Sequence, residues 1–142
     1  MATRNGSAEW RGDLQSGSGT LEVGDGVFSG DYSFASRFEE GEGTNPEELI
    51  AAAHAACFSM ALSAGLERAR TPATRIETRA ECTLDMVSGA PKITTIALSV
   101  RGKVEGIDQA MFQKAADDAK ANCPVSKLFA GNATITLEAK LE

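Results

Sequence analysis

Histidine is almost missing from this chain. One occurs in 142 residues, and the three cysteines are scattered with no CxxC pair among them. That set lacks zinc-ligand spacing, so no metal site is expected. Aromatic residues are few, basic residues form no block, and the net charge is −6. Neither a nucleic acid nor an anionic membrane surface is expected as a main partner. The opening residues, MATRNGSAEW, lack the apolar stretch of a secretory signal. An odd number of cysteines outside any framework spacing reads as thiols of a reducing, cytoplasmic protein. No internal repeat, linker or low-complexity segment interrupts the chain. Its length suits one domain, 1–142, with a real core.

What is present reads as α+β, with largely antiparallel sheets and segregated helices. SAEWRGDL, GTLEV and DYSFASRF are short strand-like segments divided by Gly, Ser and Asp. The loop EEGEGTNP ends in a helix start, with Asn45 as cap, Pro46 at the first helical position and Glu48 three residues after the cap. The helix then runs to about Arg68. From Leu49 to Leu66 it is uncharged and reaches the lower length limit of a membrane span. Its many alanines, with His54, Ser59, Ser63 and Gly65, argue for a buried central helix instead.

Beyond it the pattern alternates. Ile76, Thr78, Ala80, Cys82, Leu84 and Met86 share one strand face. After the turn SGAPK, Ile96, Leu98 and Val100 share a face of a second strand. IDQAMFQKAADDAKA is a helix pattern, with Ile107, Met111, Ala115 and Ala119 in line. NCPVSKLF starts another helix, and Ala133, Ile135, Leu137, Ala139 and Leu141 alternate in a closing strand.

Chemistry centres on two thiols. Cys57 lies inside the apolar helix, where a thiol is inert unless a cation reaches it. Cys123 precedes a proline at a helix start, where exposed N–H groups favour the thiolate. Cys82 reads as a small core residue on its strand face. His54 lies on the Cys57 face of the helix, and Glu47 falls on that face too. A nucleophile with its base and orienter is conceivable there, but Glu47 and His54 are roughly 10 Å apart on a straight helix. A satisfied core or interface histidine is the better reading. Arg37 ends DYSFASRF beside an acidic loop. It reads either as a surface charge paired with Glu39, Glu40 or Glu42, or as the fixed cation a buried thiol needs.

At these residues the chain resembles the OsmC/Ohr family of osmotically inducible and organic-hydroperoxide-resistance proteins, and most of all the osmotically inducible branch. The resemblance rests on RFEEGEGTNPEELIAAAHAACFSMALS and NCPVSKLFAGNATITLEAKL, the family's two cysteine motifs in order and at its usual spacing. Weaker likeness covers nearly the whole chain. It implies the OsmC-like fold, with antiparallel sheets around a long buried central helix, and an intertwined homodimer whose active sites lie at the subunit interface. It implies a thiol-dependent peroxidase that acts on organic hydroperoxides, and less well on hydrogen peroxide. In this likeness Cys57 matches the peroxidatic cysteine, Cys123 the resolving cysteine, Arg37 the active-site arginine and Glu47 its carboxylate partner. The two cysteines would form a disulfide, which an external dithiol reductant reopens. No bound cofactor or metal is required.

Two competing readings use the same residues. One is a Cys–His hydrolase built on Cys57 and His54, with no use for Cys123. The other is a non-catalytic binding protein with both thiols buried. Helix geometry adds one expectation. Glu47 and Cys57 are about 15 Å apart along a straight helix, so Glu47 is expected to serve the partner subunit's site unless the helix breaks.

Overall fold

The computed structural model describes all residues, Met1–Glu142. The chain falls into two compact units, Met1–Leu49 and Ile50–Glu142, and the division lies within the first turns of a long helix.

The first unit is a meander. Strands β1 (Gly6–Arg11), β2 (Ser18–Val23) and β3 (Phe28–Tyr32) pair antiparallel in the order β1-β2-β3. Gly19 of β2 pairs with Trp10 on one side and Tyr32 on the other. The two aromatic rings close over it, with centroids 5.4 Å apart, and a Cβ at Gly19 would strike both. DYSFASRF is not one strand. It divides at Ser33 into the end of β3 and a short helix α1 (Phe34–Phe38). Ser33 caps α1, and Ser36 answers from the third position: each hydroxyl accepts from the other's backbone N–H. Arg37 therefore sits in the last turn of α1 and not at a strand end.

Helix α2 (Pro46–Arg68) begins as the sequence predicts. The Glu48 N–H donates to Asn45 Oδ1 at 2.9 Å. The Glu48 carboxylate does not return to the cap; it accepts from Thr44 Oγ1 at 2.9 Å.

The second unit holds the main core. Strands β4 (Ala73–Val87) and β5 (Ala90–Val104) form a long hairpin. It turns on Ser88 and Gly89, both at positive φ, as a two-residue hairpin loop requires. Helices α3 (Gln109–Asn122) and α4 (Pro124–Phe129) follow, and β6 (Thr134–Leu141) then adds to β5 in parallel. The sheet is therefore mixed, which corrects the expectation of antiparallel sheets. A hairpin would force antiparallel pairing, but a crossover through two helices lets the chain return in the same direction. Gln109 ties α3 to β6: its amide donates to Ala139 O at 2.9 Å and accepts from Leu141 N at 2.8 Å.

Core side chains come from every element of this unit. Phe58, Leu62 and Leu66 of α2 meet Ile96, Leu98, Val100 and Val104 of β5, with Phe112, Ala116 and Ala119 of α3. Each fully buried Leu or Phe contributes about 1.5–3 kcal/mol. The alternating faces of β4, β5 and β6 point inward as the sequence predicts, except at the hairpin end of β4, where Met86 is exposed. In α3 the inward line is Phe112, Ala116 and Ala119, while Met111 is exposed. The bulkiest apolar side chain claims the core and turns the helix by one position from the expected line.

The expectation of an all-round buried central helix needs a similar correction. The line His54, Phe58, Leu62 and Leu66, at i+4 spacing, is buried. On the other side Ala52, Ala53, Ala56 and Met60 are exposed. α2 has the length and apolarity of a membrane span, yet one of its faces is committed to a packed interior.

The Phe112 ring packs close against Gly102 of β5, and a Cβ at Gly102 would land on that ring. Gly102→Ala is expected to lower unfolding free energy by about 1–3 kcal/mol through overpacking. Urea titration checks this, and an unchanged midpoint would mean the ring moves aside freely.

Candidate active site

In the first unit the loop between α1 and α2 is drawn tight. Ser36 Oγ donates to Thr44 O at 2.7 Å, and Asn45 Nδ2 donates to Ser36 O at 2.9 Å. Two glycines permit the closure. A Cβ at Gly41 would stand 2.6 Å from Ala35 Cβ, and Gly43, at φ 112°, would bring one 2.6 Å from Asp31 O. The result is an ion pair across ten residues. Arg37 Nη2 meets Glu47 Oε1 at 2.8 Å, and Arg37 Nε donates to the two carboxylate oxygens at 3.2 and 3.3 Å. The Glu47 side chain is buried, and the Arg37 side chain is 35% exposed. The guanidinium also stands 5.3 Å from the centre of the Phe38 ring. Its acid is thus Glu47, and not the nearer Glu39, Glu40 or Glu42 of the bland reading.

In the second unit Cys57 and Cys123 come together. Cys57 is half-buried on α2. Cys123 is fully buried and does three jobs: it ends α3, caps α4 and belongs to the core. The two thiols stand close enough that each shifts the other's titration, and the Val125 N–H acts on both. Cys123 Sγ also accepts from Ser126 N at 3.4 Å, and the Ser126 hydroxyl helps to lower its titration. These contacts split the two titrations. Burial pushes the Cys57 thiol above its ordinary value; the Val125 N–H opposes this, and Cys123 adds to it. Burial also pushes Cys123 up, but the two Ser126 donors, Cys57 and Val125 outweigh it, and Cys123 lies below its ordinary value. The first thiolate of the pair is therefore on Cys123, with the Cys57 S–H donating to it.

His54 is fully buried. Its Nε2 is 2.8 Å from Ser126 Oγ, and its Nδ1 has no partner. The dyad required by the hydrolase reading is not formed, because neither ring nitrogen bonds Cys57. Cys82 is half-buried on β4 and packs against the core. A groove of about 580 Å³ lined by Ala61, Gly65, Arg68, Met111 and Lys114 contains neither Cys57 nor Cys123.

Over residues 39–138 the chain matches the family model described as OsmC-like protein. It belongs to that family. It is 47% identical to peroxiredoxin OsmC of Escherichia coli strain K12, over 98% of this chain and 96% of that protein. The crystal structure of the organic hydroperoxide resistance protein OhrB of Bacillus subtilis matches with a TM-score of 0.74 at 28% identity, covering 96% of this chain and 98% of that one. An organic hydroperoxide resistance protein of Legionella pneumophila shares the fold, with a TM-score of 0.76 at 24% identity over 99% of both chains. The likeness read from the two cysteine motifs therefore holds, and so does the α+β OsmC/Ohr fold.

Ser126 escaped sequence reasoning, although a signal for it exists. A residue that caps a helix accepts from the N–H three positions on, so Cys123 before Pro124 points to residue 126.

Burial pushes His54 below the ordinary 6.5, so its ring is neutral in the fold. As pH falls below the unfolded value, the unfolded chain takes up a proton that the folded chain refuses. The stability this ring contributes is complete above the unfolded pKa and is lost as pH falls toward the folded one. Between about pH 7.5 and 5.5 the unfolding free energy of the wild type is expected to fall more steeply than that of His54→Gln. Equal slopes in urea titrations across that range would mean that His54 titrates normally in the fold.

Proposed function

We propose that this chain is a thiol-dependent peroxidase that reduces organic hydroperoxides, with Cys57 as the peroxidatic and Cys123 as the resolving cysteine. One observation carries the reading: two cysteines far apart in sequence stand close enough in the fold that each shifts the other's titration. The names borne by the relatives, peroxiredoxin and organic hydroperoxide resistance protein, support it.

The chemistry runs in three steps. The Cys57 proton passes to Cys123, and the Cys57 thiolate attacks the terminal oxygen of the hydroperoxide. An S–O bond forms, the O–O bond breaks, and the leaving alkoxide takes a proton to become an alcohol. The Cys123 sulfur then attacks the sulfenic sulfur. An S–S bond forms, the S–O bond breaks, and hydroxide leaves as water. Finally an external dithiol reduces the disulfide by exchange.

Cys57 needs a cation to hold the charge that burial opposes, and Arg37 supplies it in this proposal. Glu47 fixes the guanidinium fork, which hydrogen-bonds the peroxide oxygens as charge builds on the leaving one. The enzyme works as a cytoplasmic homodimer whose two units per chain form one OsmC-like domain. The open face of Ala52, Ala53, Ala56 and Met60 on α2 supports self-association through close helix approach. Glu47 serves the partner's Cys57, and because Arg37 is bound to Glu47 within one chain, the two travel together. The unbroken run of α2 from Pro46 to Arg68 supports this.

Cys57→Ser is expected to abolish consumption of cumene hydroperoxide. Cys123→Ser should complete one turnover and then accumulate over-oxidised Cys57. After one equivalent of peroxide the wild-type mass should fall by two hydrogens, with peptide mapping joining Cys57 to Cys123. Wild-type turnover by Cys57→Ser would refute the nucleophile.

The subunit assignment has its own test. Cys57→Ser and Glu47→Ala subunits, mixed and refolded, should regain part of the activity, since one site of each mixed dimer collects both lesions. If mixed dimers form and stay inactive, Glu47 acts within its own chain.

A further inference from the structure

Two buried polar residues, His54 and Ser126, have no part in the scheme above. His54, Ser126 and Cys123 form a line of hydrogen bonds in the second unit, from α2 through α4 to the α3–α4 junction. His54 and Ser126 are both buried in an otherwise apolar core. Burying polar groups is unfavourable unless every bond is made, and here one is missing, at His54 Nδ1.

That missing bond fixes the direction of the line. The ring is neutral, so one nitrogen carries hydrogen and the other does not. If Nδ1 held the proton, a buried N–H would stand unpaired, and the Ser126 hydroxyl would have to point its hydrogen at His54. If Nε2 holds it, the orphan is an acceptor, which folded proteins tolerate better than an orphan donor. Nε2–H then donates to Ser126 Oγ, and the single Ser126 hydroxyl hydrogen is free to point at Cys123 Sγ. The sulfur already accepts from the Ser126 N–H at 3.4 Å, and the hydroxyl of the same residue lowers its titration as a second donor would. Cys57 S–H and the Val125 N–H complete its surroundings.

We propose that Ser126, oriented by His54, is a positioning residue for the resolving step: it holds Cys123 as a nucleophile ready to attack the Cys57 sulfenic acid. The inference rests on the peroxidase reading above. In the step itself the Cys123 sulfur bonds to the Cys57 sulfur, the S–O bond breaks, and hydroxide leaves with a proton as water. Donors aimed at the Cys123 sulfur favour its charged, attacking form. They have an opposite effect on the first step. A charge held on Cys123 opposes a second charge on Cys57, so removing the donor frees Cys57 to ionise. Loss of Ser126 therefore slows resolution without slowing the attack on peroxide, whereas a merely structural lesion slows both.

The test follows both steps in the full-length protein. Reduced protein is mixed rapidly with cumene hydroperoxide. Sulfenic acid is trapped with dimedone, and the disulfide is followed by intact mass. In Ser126→Ala, disulfide formation is expected to slow at least about tenfold, equivalent to about 1.4 kcal/mol. Sulfenic acid should accumulate at the wild-type rate or faster, and sulfinic Cys57 should rise with each turnover. Ser126→Thr, which keeps a hydroxyl, should recover most of the disulfide rate. His54→Leu should give the same split more weakly, and His54→Gln, which keeps a terminal N–H, should repair it. These two variants carry the test if Ser126→Ala does not fold. Wild-type resolution in Ser126→Ala, equal slowing of both steps, or His54→Leu indistinguishable from the wild type would overturn the inference. A wild-type protein that consumes peroxide yet forms no Cys57–Cys123 disulfide would overturn the proposed function, and this inference with it.

Discussion

Ending one helix and starting the next on a single buried cysteine is the constraint on which the second unit turns. The Cys123 N–H closes α3 by donating to Ala119 O at 2.8 Å, and its carbonyl opens α4 by accepting from Lys127 N at 3.1 Å. Pro124 makes the break sharp, since its ring cannot continue α3 and suits the first position of α4. The sulfur then faces the first-turn N–H groups of α4 while its carbon end packs in the core. A serine there would cap the helix but leave a hydroxyl in an apolar interior. An alanine would fill the interior but leave the cap empty. Cysteine is apolar enough for the core and still accepts from N–H groups, so the fold itself favours a thiol at this place before any chemistry is asked of it.

Much of this was legible in the sequence where one local rule decides the outcome. Alternation placed β4, β5 and β6 and their inward faces, and Asn45 with Pro46 placed the start of α2. The acidity of Cys123 relative to Cys57 followed from NCPV alone. The failures share a cause: each depends on something distant in the chain. β6 gives no sign of which neighbour it joins, so its parallel pairing with β5 is visible only once the crossover is built. α1 is hidden in DYSFASRF because its aromatic residues suit strands, and the reciprocal Ser33–Ser36 cap overrides them. The inward face of α3 is settled by where the Phe112 ring finds room, over a glycine of β5. The near-uniform apolarity of α2 carries no information about which side is covered.

The electrostatics divide between the units in a way that spacing does not reveal. The second unit gathers both thiols and makes Cys123 the more acidic of the two, with Cys57 pushed up by burial. Taken by itself it is a poor peroxide-attacking centre. The first unit has no cysteine, and it holds a cation whose carboxylate partner is nearly shut away from water. Neither set of residues explains itself. A buried Glu47 is a liability without Arg37, and a half-buried Cys57 is inert without a counter-charge. The reading of His54 changes for the same reason: its place near Cys57 on the helix suggests a base, while its hydrogen bond spends it on Ser126.

The short span from Ser33 to Glu47 has a thermodynamic side. A free arginine loses about 2 kcal/mol of side-chain entropy when it is held in one arrangement. Here that loss is incurred during folding, because Glu47 already holds the guanidinium through Nε and Nη2. If Arg37 has the role proposed for it, a ligand oxygen arriving at the guanidinium would meet a group that is already still. Weakly held, uncharged molecules such as alkyl peroxides, which offer little affinity of their own, gain most from a host that has no ordering left to do.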